Sequence, residues 1–170
     1  MSTRASRLVP AAAAAALVLA ACSGDKSPTD TNPPPTTTAN TVSFGTAKAT
    51  VAIAESCASR GHGLMGVTRM AADSGMLFVF AYDSYRQFYM KDTPIPLSIA
   101  FLDLNKKVVF LADMAPNDSI ARYGGLSSPQ MRYALEMNQG WFASHGVTVG
   151  TYGSFTVPSG LVIENDCFVP

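Results

Sequence analysis

The residues best placed for chemistry stand in a short polar turn, Lys91-Asp92-Thr93, between two hydrophobic segments. Turns between core strands carry binding and catalytic side chains more often than the strands themselves do. A further charged residue, Glu136, stands among apolar neighbours, where an unpaired carboxylate would be costly. We favour an ion pair between Lys91 and Glu136 that satisfies both charges. The alternative is a ligand-binding site formed by Lys91, Asp92, Thr93 and Glu136.

The residue combinations that common enzyme mechanisms require are incomplete in this sequence. The chain has two histidines, His62 and His145, and neither a GxSxG nor an HExxH motif. A serine or cysteine nucleophile would need one of these histidines beside it. Residues 61–66 match GxGxxG, but a dinucleotide site needs a long helix directly after that turn, and residues 67–74 are too short and polar to form one. We therefore assign no catalytic residue.

The methionines raise the question of a metal. All but one of the eight methionines lie beyond the first residue, and thioether ligands in an exported protein are typical of copper(I) handling. Methionine also fills irregular hydrophobic cores, and no MxxM pair occurs. We favour the core interpretation, assign no metal site and no cofactor, and keep copper handling as a third functional alternative.

The N-terminal segment predicts export and anchoring. Two basic residues precede an uncharged apolar stretch, Ala11–Ala21, which is typical of a cleavable signal peptide at residues 1–21 and too short to span a bilayer. The stretch ends in Leu19-Ala20-Ala21-Cys22, which resembles the bacterial lipobox. Acyl chains on Cys22, palmitate among them, would anchor the protein to a membrane. Because Ser23 stands where Asp would signal inner-membrane retention, we prefer the outer membrane, facing the periplasm or the cell surface.

Charge argues against nucleic acid as a partner. Loss of the signal peptide would remove two of the 12 basic residues and none of the 12 acidic ones, leaving a formal charge of −2. Phosphate contacts dominate nucleic-acid affinity, and no basic cluster denser than Lys106-Lys107 occurs. We therefore expect no nucleic-acid partner, whereas a small molecule or a glycan stays open as the ligand. The oligomeric state is not predicted.

The rest of the chain divides into a linker and one domain. Residues 22–41 are rich in Pro, Thr, Ser, Asp and Asn and are predicted to be a disordered linker. Residues 42–170 have the size of a single domain, in which short apolar segments are separated by Gly, Pro, Asp or Asn. This spacing predicts a mainly β fold, an antiparallel sandwich or a partly open, jelly-roll-like barrel, with one or two short helices.

Individual segments carry sharper expectations. Residues 47–53 alternate as a strand with one face inward, and residues 97–102, which are apolar on both faces, should form the most buried strand. Asn138 is expected to cap a helix at residues 140–145. We also predict a helical turn at residues 55–62 and closing strands at residues 154–157 and 161–163.

Two cysteines, Cys57 and Cys167, remain in the domain. An oxidising compartment favours their pairing, and their spacing resembles neither a CxxC redox pair nor a zinc knuckle. We predict a disulfide that joins the two ends of the domain. Such a bond would remove the thiolate that a catalytic pair of Cys57 and His62 would need.

Five segments in register resemble the domain-of-unknown-function family 192. They cover residues 51–157 and are Gly63-Leu64-Met65, Gly75–Phe80, Phe88–Thr93, Ile95–Phe101 and Tyr133–Trp141. The resemblance implies a β-rich, jelly-roll-like sandwich, often behind a signal peptide, and brings no established activity. The chain departs from the family pattern at Val67, Asp92 and Ser98, where Arg, Asn and Asp are common.

These observations predict a lipid-anchored, non-catalytic binding or envelope-associated module. The alternative is an enzyme or ligand-processing domain that acts on envelope glycans or a small molecule through Lys91, Asp92, Thr93 and Glu136. A cleft lined by these residues, with a strongly perturbed carboxylate, would favour the alternative. A flat or filled surface would favour the module.

Overall fold

The computed structural model of the protein describes residues 40–165 and Cys167. The predicted signal peptide, the lipidation site Cys22 and the predicted linker up to residue 39 lie outside the described residues. Within them, no helix is long and apolar enough to cross a membrane.

Strands dominate the described part of the chain, which confirms the predicted mainly β class with short helices. The first strand begins before the predicted domain boundary at residue 42, because the backbone of Asn40 already pairs with Val51. The elements are β1 (Asn40–Phe44), β2 (Ala47–Ala54), α1 (Cys57–His62), β3 (Ser74–Ser84), β4 (Gln87–Phe88), β5 (Leu97–Leu102), β6 (Val108–Met114), β7 (Tyr123–Gly124), a 3₁₀ turn (Gly125–Ser127), β8 (Met131–Asn138) and α2 (Trp141–Ser144).

Six strands form one sheet in the order β1-β2-β3-β8-β5-β6, while β4 and β7 form a separate pair. All neighbours in the large sheet are antiparallel except β2 and β3, which are parallel. The sheet is therefore mixed rather than purely antiparallel. A parallel neighbour requires the chain to cross back to the starting end of the sheet, and α1 with residues 63–73 makes that crossing.

The sheet is curled, but it does not close into a barrel. At one edge, the Ser43 N–H of β1 donates to the Ser154 carbonyl at 2.9 Å. At the other edge, the Val108 N–H of β6 donates to the Thr151 carbonyl at 2.8 Å. One C-terminal segment thus contacts both edge strands, which protects their unpaired backbone groups.

Each face of the sheet carries its own hydrophobic layer. Side chains alternate between the two faces along a strand. The side chains predicted to point inward from β2 therefore lie in the first core layer. Successive residues of β3, β5 and β8 lie alternately in the two layers. All six residues of β5 are buried, as predicted. The first core layer includes Val51, Ile53, Leu77, Leu102, Leu135 and Trp141. The second includes Leu64, Met76, Phe78, Met90, Ile99, Phe101, Met114 and Met131.

Three local predictions differ from the structure. Asn138 is the last residue of β8 rather than a helix cap, and its side-chain amide donates to the carbonyls of Ala71 and Ala72. Gly140, in the left-handed region, precedes α2 instead. Residues 154–157 contribute one isolated bridge, and residues 161–163 form no strand. In each case tertiary contacts replace the local pattern.

Most of the methionines are core residues. Met76, Met114 and Met131 are fully buried in the second core layer and Met137 in the first. This burial supports the core interpretation, because a copper(I) ion would need several thioethers turned toward one open cavity.

Met90→Ala should lower the free energy of unfolding by about 2 to 5 kcal/mol, because it truncates a long side chain in a packed core. Met90 is 1% exposed. Urea denaturation measures the change, and Met65→Ala is the matched control, since Met65 is only partly buried. One-to-one copper(I) binding that disappears in the Met90 variant without loss of stability would contradict the core interpretation.

Residues 161–165 and Cys167 are here called the C-terminal strap. Its last residues, Glu164, Asn165 and Cys167, contact α1. The structure contains the predicted bond between Cys57 and Cys167, whose Cα atoms are 5.4 Å apart. The Cys57 N–H also donates to the Glu164 carboxylate at 2.6 Å. Arg60 donates to the Glu164 carbonyl at 2.9 Å. The strap is therefore attached by a covalent bond and by hydrogen bonds to its backbone and side chains.

Candidate functional site

Glu136, in the central strand β8, forms the floor of the candidate site. Its backbone lies opposite Met76 of β3 on one side and Ile99 of β5 on the other. Opposite residues of paired strands point to the same face, so the Glu136 side chain enters the second core layer. It is 5% exposed, and it borders a cleft at the edge of that layer.

The electrostatics of Glu136 follow from this position. Burial raises the pKa of the Glu136 carboxyl to about 8, and no charge or hydrogen bond of another described residue contributes to the shift. The carboxyl therefore holds its proton at neutral pH. A protonated carboxyl can donate a hydrogen bond to a ligand, and it can also transfer its proton.

Two hydrogen-bonded turns form one wall of the cleft. The Gly66 N–H, from the turn that follows α1, donates to the Asp92 carbonyl at 2.8 Å. Asp92 has φ 54°, a left-handed conformation in which Asn and Asp are the favoured residues after Gly. The Thr93 carbonyl accepts from the Asn117 N–H at 2.9 Å. The turn is thus fixed on both sides, and the buried Thr93 faces the cleft.

Two arginines line the cleft beside Phe80 of β3. The Arg86 guanidinium lies 4.1 Å from the centroid of the Phe80 ring, and that of Arg60 lies 5.1 Å from it. Arg60 also donates to the Val79 carbonyl at 3.0 Å. Stacking on an aromatic ring and bonding to backbone carbonyls hold these charges at the wall of the cleft.

Two further cations, Arg122 and Lys91, lie at the rim, where both are exposed. Arg122 donates to the carbonyls of Ser119 and Ile120, and its guanidinium lies 5.2 Å from the Tyr89 ring. Its loop begins at Asp118, whose pKa is lowered mainly by hydrogen bonds from the backbone N–H groups of the next residues. Lys91 extends from the Asp92 turn.

The cleft has a volume of about 1110 Å³. Concave sites that combine aromatic walls with a few polar groups are typical of small-molecule binding. Glu136 is the one acidic residue among the described residues that line it. The other lining residues that matter here are Arg60, His62, Leu64, Met65, Phe78, Phe80, Arg86, Phe88, Tyr89, Lys91, Thr93, Arg122 and Cys167.

The structure brings together three of the four residues of the sequence-predicted site. Lys91, Thr93 and Glu136 line the same cleft, whereas Asp92 is exposed and serves the turn through its backbone. The favoured ion pair between Lys91 and Glu136 is not formed, since no charge contributes to the Glu136 pKa. Lys91 stands at the exposed rim, and Glu136 stands in the buried floor.

Sequence reasoning missed the other cations of the cleft. Arg60, Arg86 and Arg122 are isolated in the chain, so no local charge pattern indicates that they meet. His62, the last residue of α1, and Met65, in the turn after it, also line the cleft within the segment that matches GxGxxG. That segment begins in a short helix rather than after a strand, so its context is not that of a dinucleotide site.

The other two departures from the family pattern lie away from the cleft. Ser98 accepts a hydrogen bond from the Gly140 N–H at 2.8 Å and donates to the Asp113 carboxylate, and its neighbours Leu97 and Ile99 belong to the second core layer. Ser98 therefore points to the opposite face from Glu136. Val67 packs within the second core layer.

A sequence profile of the DUF192 family, described as "Uncharacterized ACR", matches residues 39–154. A protein from Sinorhizobium meliloti 1021, described as "a putative transcription regulator", is similar in structure with a TM-score of 0.64 and 28% identity, over 69% of this chain and 94% of that one. A protein of unknown function from Novosphingobium aromaticivorans DSM 12444 has a TM-score of 0.60 and 27% identity, over 68% and 83% of the two chains. No curated protein matches the chain significantly.

Proposed function

We propose that this chain, which belongs to the DUF192 family, is an envelope domain that binds a small organic molecule in the cleft above Glu136. One observation carries the proposal: a carboxyl that is 5% exposed borders a cleft of about 1110 Å³ without any charge to compensate it. Removing a carboxyl from water is costly. A ligand that accepts a hydrogen bond from the protonated carboxyl would offset part of that cost.

The same carboxyl favours ligand processing as a second candidate function. A strongly perturbed carboxylate in a cleft is typical of a domain that processes its ligand rather than of a passive binding module. A carboxyl with a pKa of about 8 is also suited to general acid catalysis. Hydrolysis of glycans commonly uses two carboxylates across the bond. Glu136 is the one acidic residue among the described residues lining the cleft, so binding of a small molecule stays our first proposal.

The test uses purified protein that carries Cys22→Ser and a panel of N-acetylglucosamine and small aromatic alcohols. Binding to the folded state alone raises the unfolding midpoint, so a probe that enters the cleft should raise it by several degrees. Met65→Trp fills the cleft and should abolish the gain, and Glu136→Gln should reduce it. Asp92→Asn, in the turn beside the cleft, is the matched control. A gain that persists in the Met65 variant would contradict the proposal.

We further propose that Cys22 anchors the protein to the outer membrane. Support comes from the lipobox-like end of the signal segment, Leu19-Ala20-Ala21-Cys22. Several acyl chains on one residue are sufficient for stable attachment. Small molecules that cross the envelope would then reach a cleft that is tethered near the membrane.

Replacing Cys22 with serine should move the protein from the membrane fraction to the soluble fraction, because serine cannot carry the thioether-linked diacylglycerol. Ultracentrifugation of lysates with immunodetection measures the distribution. Ser23→Ala, next to the anchor, is the control and should pellet like the wild type. A Cys22 variant that still pellets would rule out lipid anchoring at this residue.

A nucleic-acid partner is not proposed, although one similar structure is described as "a putative transcription regulator". Nucleic-acid binding draws on many phosphate contacts across an extended surface. Four cations of this chain line a concave cleft instead, which suits a small ligand better than a duplex.

A further inference from the structure

We infer that the cleft selects amphipathic organic anions, with the acidic head at the Arg122 and Lys91 rim and an aromatic or acyl body on the rings between that rim and Glu136. The inference rests on the proposed use of the cleft, and it adds the chemical class of the ligand. Formal charge is balanced over the whole chain. Among the described residues, the lining of the cleft contains four cations and one acidic residue, Glu136, which is protonated at neutral pH.

Arg122 is fixed where an anion would meet it. Arg122 is held by carbonyls of its own loop and by the Tyr89 ring. A guanidinium that is already ordered loses little conformational freedom when it binds a carboxylate or phosphate. Lys91 adds a flexible charge from the neighbouring turn. The field of several cations inside one concavity raises the local concentration of small anions.

The space between rim and floor suits an apolar body. Phe78 and Phe88 pack edge to face with ring centroids 5.1 Å apart, and both line the cleft together with Leu64. An inorganic ion would leave these surfaces in contact with water, whereas an aryl or acyl group would bury them. The protonated Glu136 carboxyl can donate to an oxygen on that body.

Other charged or titratable groups also face the cleft besides Glu136, Arg122 and Lys91. His62 and Arg60 face it from α1, Tyr85 and Arg86 from the loop after β3, and Tyr89 from the segment after β4. Ionisation of Glu136 would introduce a negative charge next to the bound anion. Affinity for an anion should therefore fall as the pH rises past the pKa of Glu136.

The test compares three probes with one body, whose phenol oxygen can accept from Glu136: 3-(4-hydroxyphenyl)propionate and the alcohol and amine that carry the same 3-(4-hydroxyphenyl)propyl group. Titrations at neutral pH with the full chain carrying Cys22→Ser should rank the acid first and the amine last. Arg122→Gln combined with Lys91→Gln should weaken the acid about tenfold and leave the alcohol unchanged. Lys48→Gln, an exposed lysine of β2 outside this cleft, is the matched control.

Other outcomes of the same titrations distinguish this inference from its alternatives. Equal affinity for all three probes, with dependence on Glu136 retained, would overturn the anion selectivity and leave the proposed binding function intact. Absence of binding by every probe would overturn both. Inorganic phosphate bound as tightly as the acid would contradict the need for an apolar body. Binding to phosphatidylglycerol vesicles without binding of the acid probe would overturn the inference in favour of a lipid surface.

Discussion

Glu136→Gln should make the free energy of unfolding larger than that of the wild type, by about 3 kcal/mol near pH 7 and about 5 kcal/mol above pH 8. The folded state raises the pKa of this carboxyl from 4.5 to about 8 by burial. Between these values the unfolded chain has lost the proton and the folded chain still holds it. The folded state therefore binds more protons, and wild-type stability falls as the pH rises through this range.

Urea denaturation of both proteins at several pH values between about pH 5 and pH 9 measures the effect. The difference between them should grow by about 1.4 kcal/mol per pH unit below the folded pKa and level off above it. Asp92→Asn is the matched control, because it removes an exposed carboxyl and should leave the pH dependence unchanged. A constant difference between Glu136→Gln and the wild type would show that the carboxyl ionises normally in the fold.

The sequence predicts individual strands well where the hydrophobic pattern of the strand itself shows which faces are buried. The alternation at residues 47–53 places β2, and the two apolar faces of residues 97–102 identify β5 as fully buried. Periodicity reports which face of a strand is covered. Periodicity carries no information on which strands become neighbours. It therefore does not predict the parallel pairing of β2 with β3.

The candidate site could be predicted only in part, for a related reason. Thr93 and Glu136 stand out locally, one in a turn between core strands and one as a charge within an apolar strand. Arg60, Arg86 and Arg122 belong to separate elements, and only the tertiary fold brings them to one cleft. The predicted ion pair between Lys91 and Glu136 is not formed, because Lys91 lies at the exposed rim of the cleft and Glu136 lies in its buried floor.

Loss of the bond between Cys57 and Cys167 should lower the free energy of unfolding by about 4 to 5 kcal/mol, the chain-entropy estimate for a loop of this size. The two cysteines are 110 residues apart, so the bond restricts nearly the whole unfolded domain. In the folded state it secures the C-terminal strap against α1. The strap also contributes Cys167 to the cleft and bonds Arg60 through the Glu164 carbonyl.

Two measurements separate the covalent bond from the packing of its side chains. The double variant Cys57→Ala/Cys167→Ala removes both, whereas reduction of the wild type breaks the bond and keeps the sulfur atoms. If loop closure is the main contribution, both should shift the urea midpoint by similar amounts. Alkylation of the unreduced, unfolded protein carrying Cys22→Ser should find no free thiol. A loss of unfolding free energy below about 1 kcal/mol on reduction would contradict a large contribution from loop closure. The hydrogen bonds to α1 would then be sufficient to hold the strap.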